Sequence, residues 1–179
     1  NEDLCFGEKF IKDAAIDSRK VMIAIHPGSG SRQKCWPVER FAALMSRLNS
    51  DMNAQFLVIS GPADDKVIDE LRLRIGNTFI LVNQLPLPYL AAIVARCRLF
   101  IGNDSGVTHL AAATGTPTIA IFGPTDPRMW GPRGEKVKIL YKKLPCSPCS
   151  PDIRKNCFPL SCLDQIGIES VIKEACNFC

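Results

Sequence analysis

Short, unbroken apolar runs alternate along this chain with longer stretches in which apolar residues recur at helical spacing. Val21-Met22-Ile23-Ala24-Ile25 is the first run, ending at His26-Pro27-Gly28. Pro37 then stands at a first helical position, with Phe41, Leu44, Met45 and Leu48 spaced for one helix face behind it. Phe56–Ile59 is a second strand, closed by Gly61-Pro62, and Val67, Ile68, Leu71 and Ile75 give a helical stripe stopped by Gly76. Phe79–Val82 is a third strand, followed by a helix over 90–95 introduced by Pro88. Leu99–Ile101 and Thr118–Phe122 are the fourth and fifth strands, with a helix over 108–114 between them, and Val137–Tyr141 is an edge strand.

Continuously apolar strands alternating with helices predict a parallel sheet covered on both faces. The fold class is α/β, a Rossmann-like doubly wound sheet. In such sheets ligands bind beyond the carboxyl ends of the strands, and every polar, glycine-rich loop here falls at such an end: residues 26–36, 61–65, 102–107 and 123–127. The boundaries expected are one domain over 1–179. It comprises an N-terminal linker or helix (1–19), a Rossmann-like core (20–141) and a cysteine-rich tail with a C-terminal helix (142–179).

The stretch from Phe100 to Ala113 is the most informative. An apolar run breaks into Gly102-Asn103-Asp104-Ser105-Gly106, and an alanine-rich helix follows at once. Asp104, Ser105 and Thr108 are cap residues, while Gly102 and Gly106 allow a tight turn close to a ligand. The first N–H groups of a helix lack intrahelical partners and sit at the positive end of its dipole, which suits an anion such as a phosphate. Capping alone uses the same residues, and His109 also fits an ordinary half-buried histidine. The loop from His26 to Pro37 adds Ser29, Arg32 and Lys34 but has neither the Walker nor the dinucleotide glycine spacing. Lys34 is read as a phosphate contact from across the crevice, against the simpler option of a solvated lysine. Asp64 and Asp65 open a helix, where they either meet N-terminal N–H groups or accept from ribose hydroxyls. The proline-fixed segments Gly123–Pro127 and Trp130–Pro132 read as rigid turns.

The 179 residues suit one compact core. A net charge of +4, carried by scattered basic residues, leaves no electrostatic footprint for nucleic acid. No apolar run reaches membrane-spanning length and no signal-peptide pattern opens the chain, so a soluble protein in a reducing compartment is expected. Six of nine cysteines crowd the last part of the chain. Cys146-x-x-Cys149 and Cys176-x-x-Cys179 suggest a zinc tetrad by spacing. Cys157 and Cys162 intervene, and ordinary thiols packing an irregular tail, with some disulfides formed on purification, are the competing expectation. No metal ligand is assigned.

Several motifs appear in a fixed order: Pro27-Gly28, Lys34–Pro37, Gly61-Pro62-Ala63, Gly102–Gly106 with His109–Ala113, and Gly115–Thr118 through Pro127. Together they resemble glycosyltransferase family 9, the heptosyltransferases of lipopolysaccharide core assembly, from about Val21 to Pro132. The resemblance implies the C-terminal, donor-binding half of a two-domain GT-B enzyme that is inverting and metal-independent. It implies that Lys34 and the backbone of Ser105 and Gly106 hold the diphosphate of an ADP-heptose-like donor, with Ser29 and Asp104 nearby. Asp65 then contacts the ribose, Leu85 lines the adenine pocket, and His109 faces the sugar or braces the loop. The donor is a substrate, and no cofactor is implied. A lipopolysaccharide core acceptor would be met through an N-terminal domain, which also holds the family's candidate base, so no catalytic residue is assigned here. A cytoplasmic location, at most peripheral to the inner membrane, goes with this activity. Cys35 and Val107 depart from a frequent basic residue and a frequent proline, and Leu85-Pro86-Leu87-Pro88 departs around the base. The alternative expectation is a nucleotide-binding or scaffolding module without transferase activity.

Overall fold

Strands with no polar face must be covered on both sides, and the chain does this with one sheet between two helical layers. The computed structural model describes residues 2–14, 16–157 and 161–179. The strands are β1 (Val21–His26), β2 (Ala54–Ser60), β3 (Ile80–Asn83), β4 (Leu99–Asn103), β5 (Thr118–Phe122) and β6 (Val137–Tyr141). All pair in parallel, in the order β3-β2-β1-β4-β5-β6. The helices are α1 (Glu2–Asp13), α2 (Val38–Met52), α3 (Asp65–Ile75), α4 (Leu87–Val94), α5 (Gly106–Ala113), α6 (Pro127–Trp130), α7 (Pro151–Asn156), α8 (Ser161–Asp164) and α9 (Ile168–Phe178). This is the Rossmann-like doubly wound order, whose topological switch lies between β1 and β4.

Alternate strand residues divide the core. Ile23, Ile25, Phe56, Val58, Leu99 and Ile101 meet Phe41, Leu44 and Leu48 of α2, Leu71 of α3 and Val171 of α9. Ala24, Leu57, Ile59 and Phe100 face the opposite layer, with Leu90, Ile93 and Val94 of α4. α1 closes that layer by stacking Phe6 on Tyr89, ring centroids 4.2 Å apart.

Helix starts differ from the expected positions for local reasons. Pro37 is the cap before α2 rather than its first residue, and its carbonyl accepts from the N–H groups of Arg40 and Phe41. α4 begins at Leu87, so Pro88 falls in the first turn, where its missing N–H breaks no bond. α5 begins at Gly106 because Ser105 is its cap. The stretch 145–165, expected to be irregular, carries the short helices α7 and α8.

The tail belongs to the core. Leu163, Ile166, Val171 and Ala175 are buried against the α2 face. Trp36 fastens it: the indole Nε1–H donates to the Ile166 carbonyl at 2.9 Å, and the ring stands edge-on to Phe41 at 5.0 Å. Arg40 donates to the same carbonyl at 2.7 Å. A surface cleft of about 550 Å3 opens near Ile11, Val21 and Arg98, at the amino ends of the strands and away from the strand-end loops.

Trp36 is 1% exposed and joins the β1–α2 loop to the tail. Trp36→Ala is expected to cost about 3–5 kcal/mol of stability, read as a lower urea midpoint by circular dichroism. An unchanged midpoint would show that the tail is held independently of this side chain.

Candidate functional site

The site grows from Asn103, the last residue of β4. Its side chain is fully buried, so each of its polar atoms needs a partner. The amide nitrogen donates to the carbonyls of Pro27 (2.8 Å) and Gly28 (3.3 Å), and its oxygen accepts from the N–H of Trp36 at 2.9 Å. One amide therefore holds both ends of the β1–α2 loop against the end of β4. Between those ends a single 3-10 turn, Arg32–Lys34, carries the basic residues.

The loop reaches the next residue as well. Lys34 Nζ lies 2.8 Å from Asp104 Oδ2, its side chain 26% exposed and that of Asp104 7%. Thr125, from the loop after β5, donates its hydroxyl to the same carboxylate oxygen at 2.6 Å, and Ser29 donates to the Asp104 carbonyl at 2.9 Å. A carboxylate this buried is tolerable because a cation and a hydroxyl both meet it. Asp104 therefore does not cap α5, as the sequence had offered. Ser105 does, with its hydroxyl 3.4 Å from the Thr108 N–H, and the Thr108 hydroxyl donates to the Asn103 carbonyl at 2.5 Å. Gly106 opens the helix, and a Cβ there would meet nothing within 4 Å. The outcome is an ammonium group, paired to Asp104, close to the N-terminus of α5 at the β1/β4 switch.

A second buried carboxylate ties the β1 loop to the β2 loop. Asp64 accepts from the Gly61 N–H at 2.7 Å and stands 3.9 Å from His26 Nδ1. It also crowds Gly28, where any Cβ would collide with the carboxylate, so only glycine fits. His26 Nδ1–H donates to the Ile59 carbonyl at 3.0 Å, and burial holds the ring below its ordinary pKa, opposed by that bond and by Asp64. Burial, aided by Asp64, pushes the Cys35 thiol up to about 11, which leaves it protonated and unreactive.

Of the residues expected from sequence, Ser29, Lys34 and Asp104 are in direct contact, and Ser105 and Gly106 continue from them at the start of α5. His109 is exposed on the first turns of α5 rather than half-buried. Asp65 is exposed at the start of α3, and Leu85 is half-buried against the α4 layer of the core. They lie beyond β2 and β3, one and two strands outward from the switch. Asn103 and Thr125 were within the quoted motifs but without an assigned role, and Asp64, read as a helix-start or ribose carboxylate, makes no cap bond to α3 and accepts from the Gly61 N–H instead. Their signal, a polar residue at a strand end or in the loop that follows it, becomes specific only once the loops are seen to meet.

Fold and site together define a Rossmann-like domain whose strand-end loops converge on one helix N-terminus. The sequence profile of glycosyltransferase family 9 (heptosyltransferase) matches residues 3–157, and the chain belongs to that family. Lipooligosaccharide heptosyltransferase 2 of Campylobacter jejuni is 30% identical over 187 residues, covering 97% of this chain and 56% of that protein. The crystal structure of a family 9 glycosyltransferase from Veillonella parvula superposes with a TM-score of 0.86 at 26% identity, covering 99% of this chain and 51% of that one. E. coli ADP-heptose lps heptosyltransferase II has the same fold, with a TM-score of 0.81 at 20% identity over 97% of this chain and 51% of that one. The chain thus spans about half the length of the relatives it matches. No helix among the described residues is long and apolar enough to cross a membrane.

Because the pKa of His26 is lowered on folding, the native state binds fewer protons than the unfolded chain just below about pH 6.5. His26 therefore supports full stability above that pH and loses its contribution as the pH falls toward its folded value. Urea midpoints measured from pH 7.5 to 5.5 are expected to fall less steeply in His26→Gln than in the native sequence. Equal slopes would contradict a neutral, buried His26.

Proposed function

We propose that the chain is the donor-binding half of a glycosyltransferase that takes an ADP-heptose-like nucleotide sugar and acts in lipopolysaccharide core assembly. The observation that carries this reading is the Lys34 ammonium, held 2.8 Å from Asp104 next to the N-terminus of α5. A diphosphate placed there is met by the lysine on one side and by the first N–H groups of α5 on the other. This gives charge neutralisation without a divalent cation. As the sugar–phosphate bond breaks, negative charge grows on the leaving diphosphate, and groups already fixed at that place stabilise it without rearranging. Asp104 and Thr125 keep the lysine extended toward the crevice, and Ser29 locks the loop that bears it.

Further out along the sheet, Asp65 supplies an exposed carboxylate for ribose hydroxyls and Leu85 an apolar surface for the base. His109, exposed on α5, is assigned to the donor sugar. Membership of the family and likeness to the C. jejuni lipooligosaccharide heptosyltransferase 2 support heptosyl transfer. The general base and the acceptor contacts are placed outside this chain, in the remaining half of the parent enzyme. A cytoplasmic site of action follows from that activity.

Two outcomes test the reading. In calorimetric titrations with ADP, GDP and UDP, the chain is expected to bind ADP. Lys34→Ala should weaken this roughly ten- to a hundredfold, the value of one or two charge-assisted hydrogen bonds. A variant with native circular dichroism and undiminished ADP affinity would remove Lys34 from the site, and a preference for UDP would overturn the donor assignment. Incubated alone with donor and acceptor, the chain is expected to yield no glycosylated product. Turnover by this half would show that a base lies within it.

A further inference from the structure

Lys34 meets the crevice already partnered. Its ammonium lies 2.8 Å from a carboxylate oxygen of Asp104, whose side chain is 7% exposed. At that separation the two charges largely offset each other toward any incoming anion. Thr125 and Ser29, which also bond Asp104, are uncharged. What remains is the N-terminus of α5, whose dipole amounts to about half a positive charge, with no acidic residue in its first turn. These groups suit the oxygens of one phosphate. A nucleoside diphosphate brings further negative charge that they leave uncompensated.

The loop carries one more cation. Arg32 opens the 3-10 turn that ends at Lys34. Residues two apart in such a turn are displaced by roughly 4 Å along its axis, a distance that an extended arginine side chain spans. The turn is closed by the Lys34 N–H on the Ser31 carbonyl at 2.9 Å and the Cys35 N–H on the Arg32 carbonyl at 3.1 Å. Asn103 pins both flanks. The Arg32 guanidinium is exposed and makes no ion pair or hydrogen bond among the described residues. In this it differs from most of its kind. Six other arginines stand in ion pairs, and Arg40 and Arg98 donate to carbonyls. Of the arginines whose side chains are described, Arg133 alone shares the condition of Arg32, and it lies in the loop before β6, at the amino ends of the strands. Arg32 thus combines a fixed backbone with an unengaged guanidinium, and it does so at the carboxyl ends, two residues from Lys34.

We propose that Arg32 is the second cation of this crevice, closing its guanidinium on the diphosphate of a bound nucleotide and setting the preference for a nucleoside diphosphate over a monophosphate. This rests on the nucleotide-binding reading of the same site. A guanidinium presents parallel N–H donors in a planar fork that matches phosphate oxygens. Without a carboxylate partner it brings its whole charge to the ligand, whereas the Lys34–Asp104 pair brings hydrogen bonds and little net charge. Lys34 and α5 place the anion, and Arg32 neutralises what the second phosphate adds.

Calorimetric titrations of the chain with ADP and with AMP test this. In Arg32→Gln, ADP affinity is expected to fall about tenfold or more, the loss of a charge-assisted pair, while AMP affinity changes far less. The preference for ADP over AMP therefore shrinks. Arg32→Lys keeps the charge without the fork and should fall between the two. Arg133→Gln should bind ADP as the native sequence does. Both Arg32 variants change an exposed side chain and are expected to retain native circular dichroism. If the native chain binds ADP and Lys34→Ala weakens it, yet Arg32→Gln binds ADP unchanged, this inference alone is overturned. Equal losses for ADP and AMP in Arg32→Gln would overturn it too, since Arg32 would then not sense the second phosphate. A native chain that binds no ADP would remove the nucleotide reading itself, and this inference with it.

Discussion

One buried amide organises this end of the molecule. Asn103 has no exposed surface, and its carboxamide bonds both the start and the finish of the β1–α2 loop. A polar side chain in such a place costs free energy unless every partner is present. The loop is therefore obliged to pack against β4. Once it does, Lys34 falls next to Asp104, Ser29 falls under the Asp104 carbonyl, and Trp36 is turned into the core. The bond made by the Trp36 indole then carries the constraint on to Ile166 and the tail.

The same device recurs at the neighbouring strand ends. Asp64 packs the β2 loop against the β1 segment, its carboxylate 3.9 Å from His26 Nδ1 and in the space a Cβ at position 28 would need. Thr125 joins the β5 loop to the residue that begins the turn into α5. Each link is a buried or half-buried polar contact between segments far apart in sequence. The strand-end loops are in this way fixed by the protein's own contacts, the condition that the proposed stabilisation of a developing charge requires.

Much of the architecture was legible because burial on both faces leaves a plain mark on sequence. All six strands stand out as apolar runs, and helix stripes such as Phe41–Leu44–Leu48 follow them. Cap positions were less legible, since Pro37 and Pro88 serve equally well one residue before a helix or inside its first turn. The strand-to-helix junction at the Gly102–Gly106 turn was readable from its glycines and hydroxyls. What local pattern could not give was partnership. Asp104 looks like a helix cap in sequence and is an ion-pair partner in space, because Lys34, 70 residues earlier, competes for it. His109 has the look of a half-buried histidine and is exposed, because the neighbouring Thr108 and Ala111 take the inward face of α5. The tail cysteines mislead for the same reason: two C-x-x-C motifs suggest each other by spacing, while Cys149 is bonded to the Gly123–Pro124 turn and Cys176 and Cys179 stand at the end of α9.

The central claim is that the Asn103-pinned loop and the N-terminus of α5 form one anion site at the switch between β1 and β4. A crystal structure of the chain grown with ADP tests it directly. The account places diphosphate oxygens about 2.7–3.2 Å from Lys34 Nζ and from the first N–H groups of α5, with the Asn103 bonds unchanged. A nucleotide bound elsewhere, or one bound here with Lys34 remote from its phosphates, would contradict it.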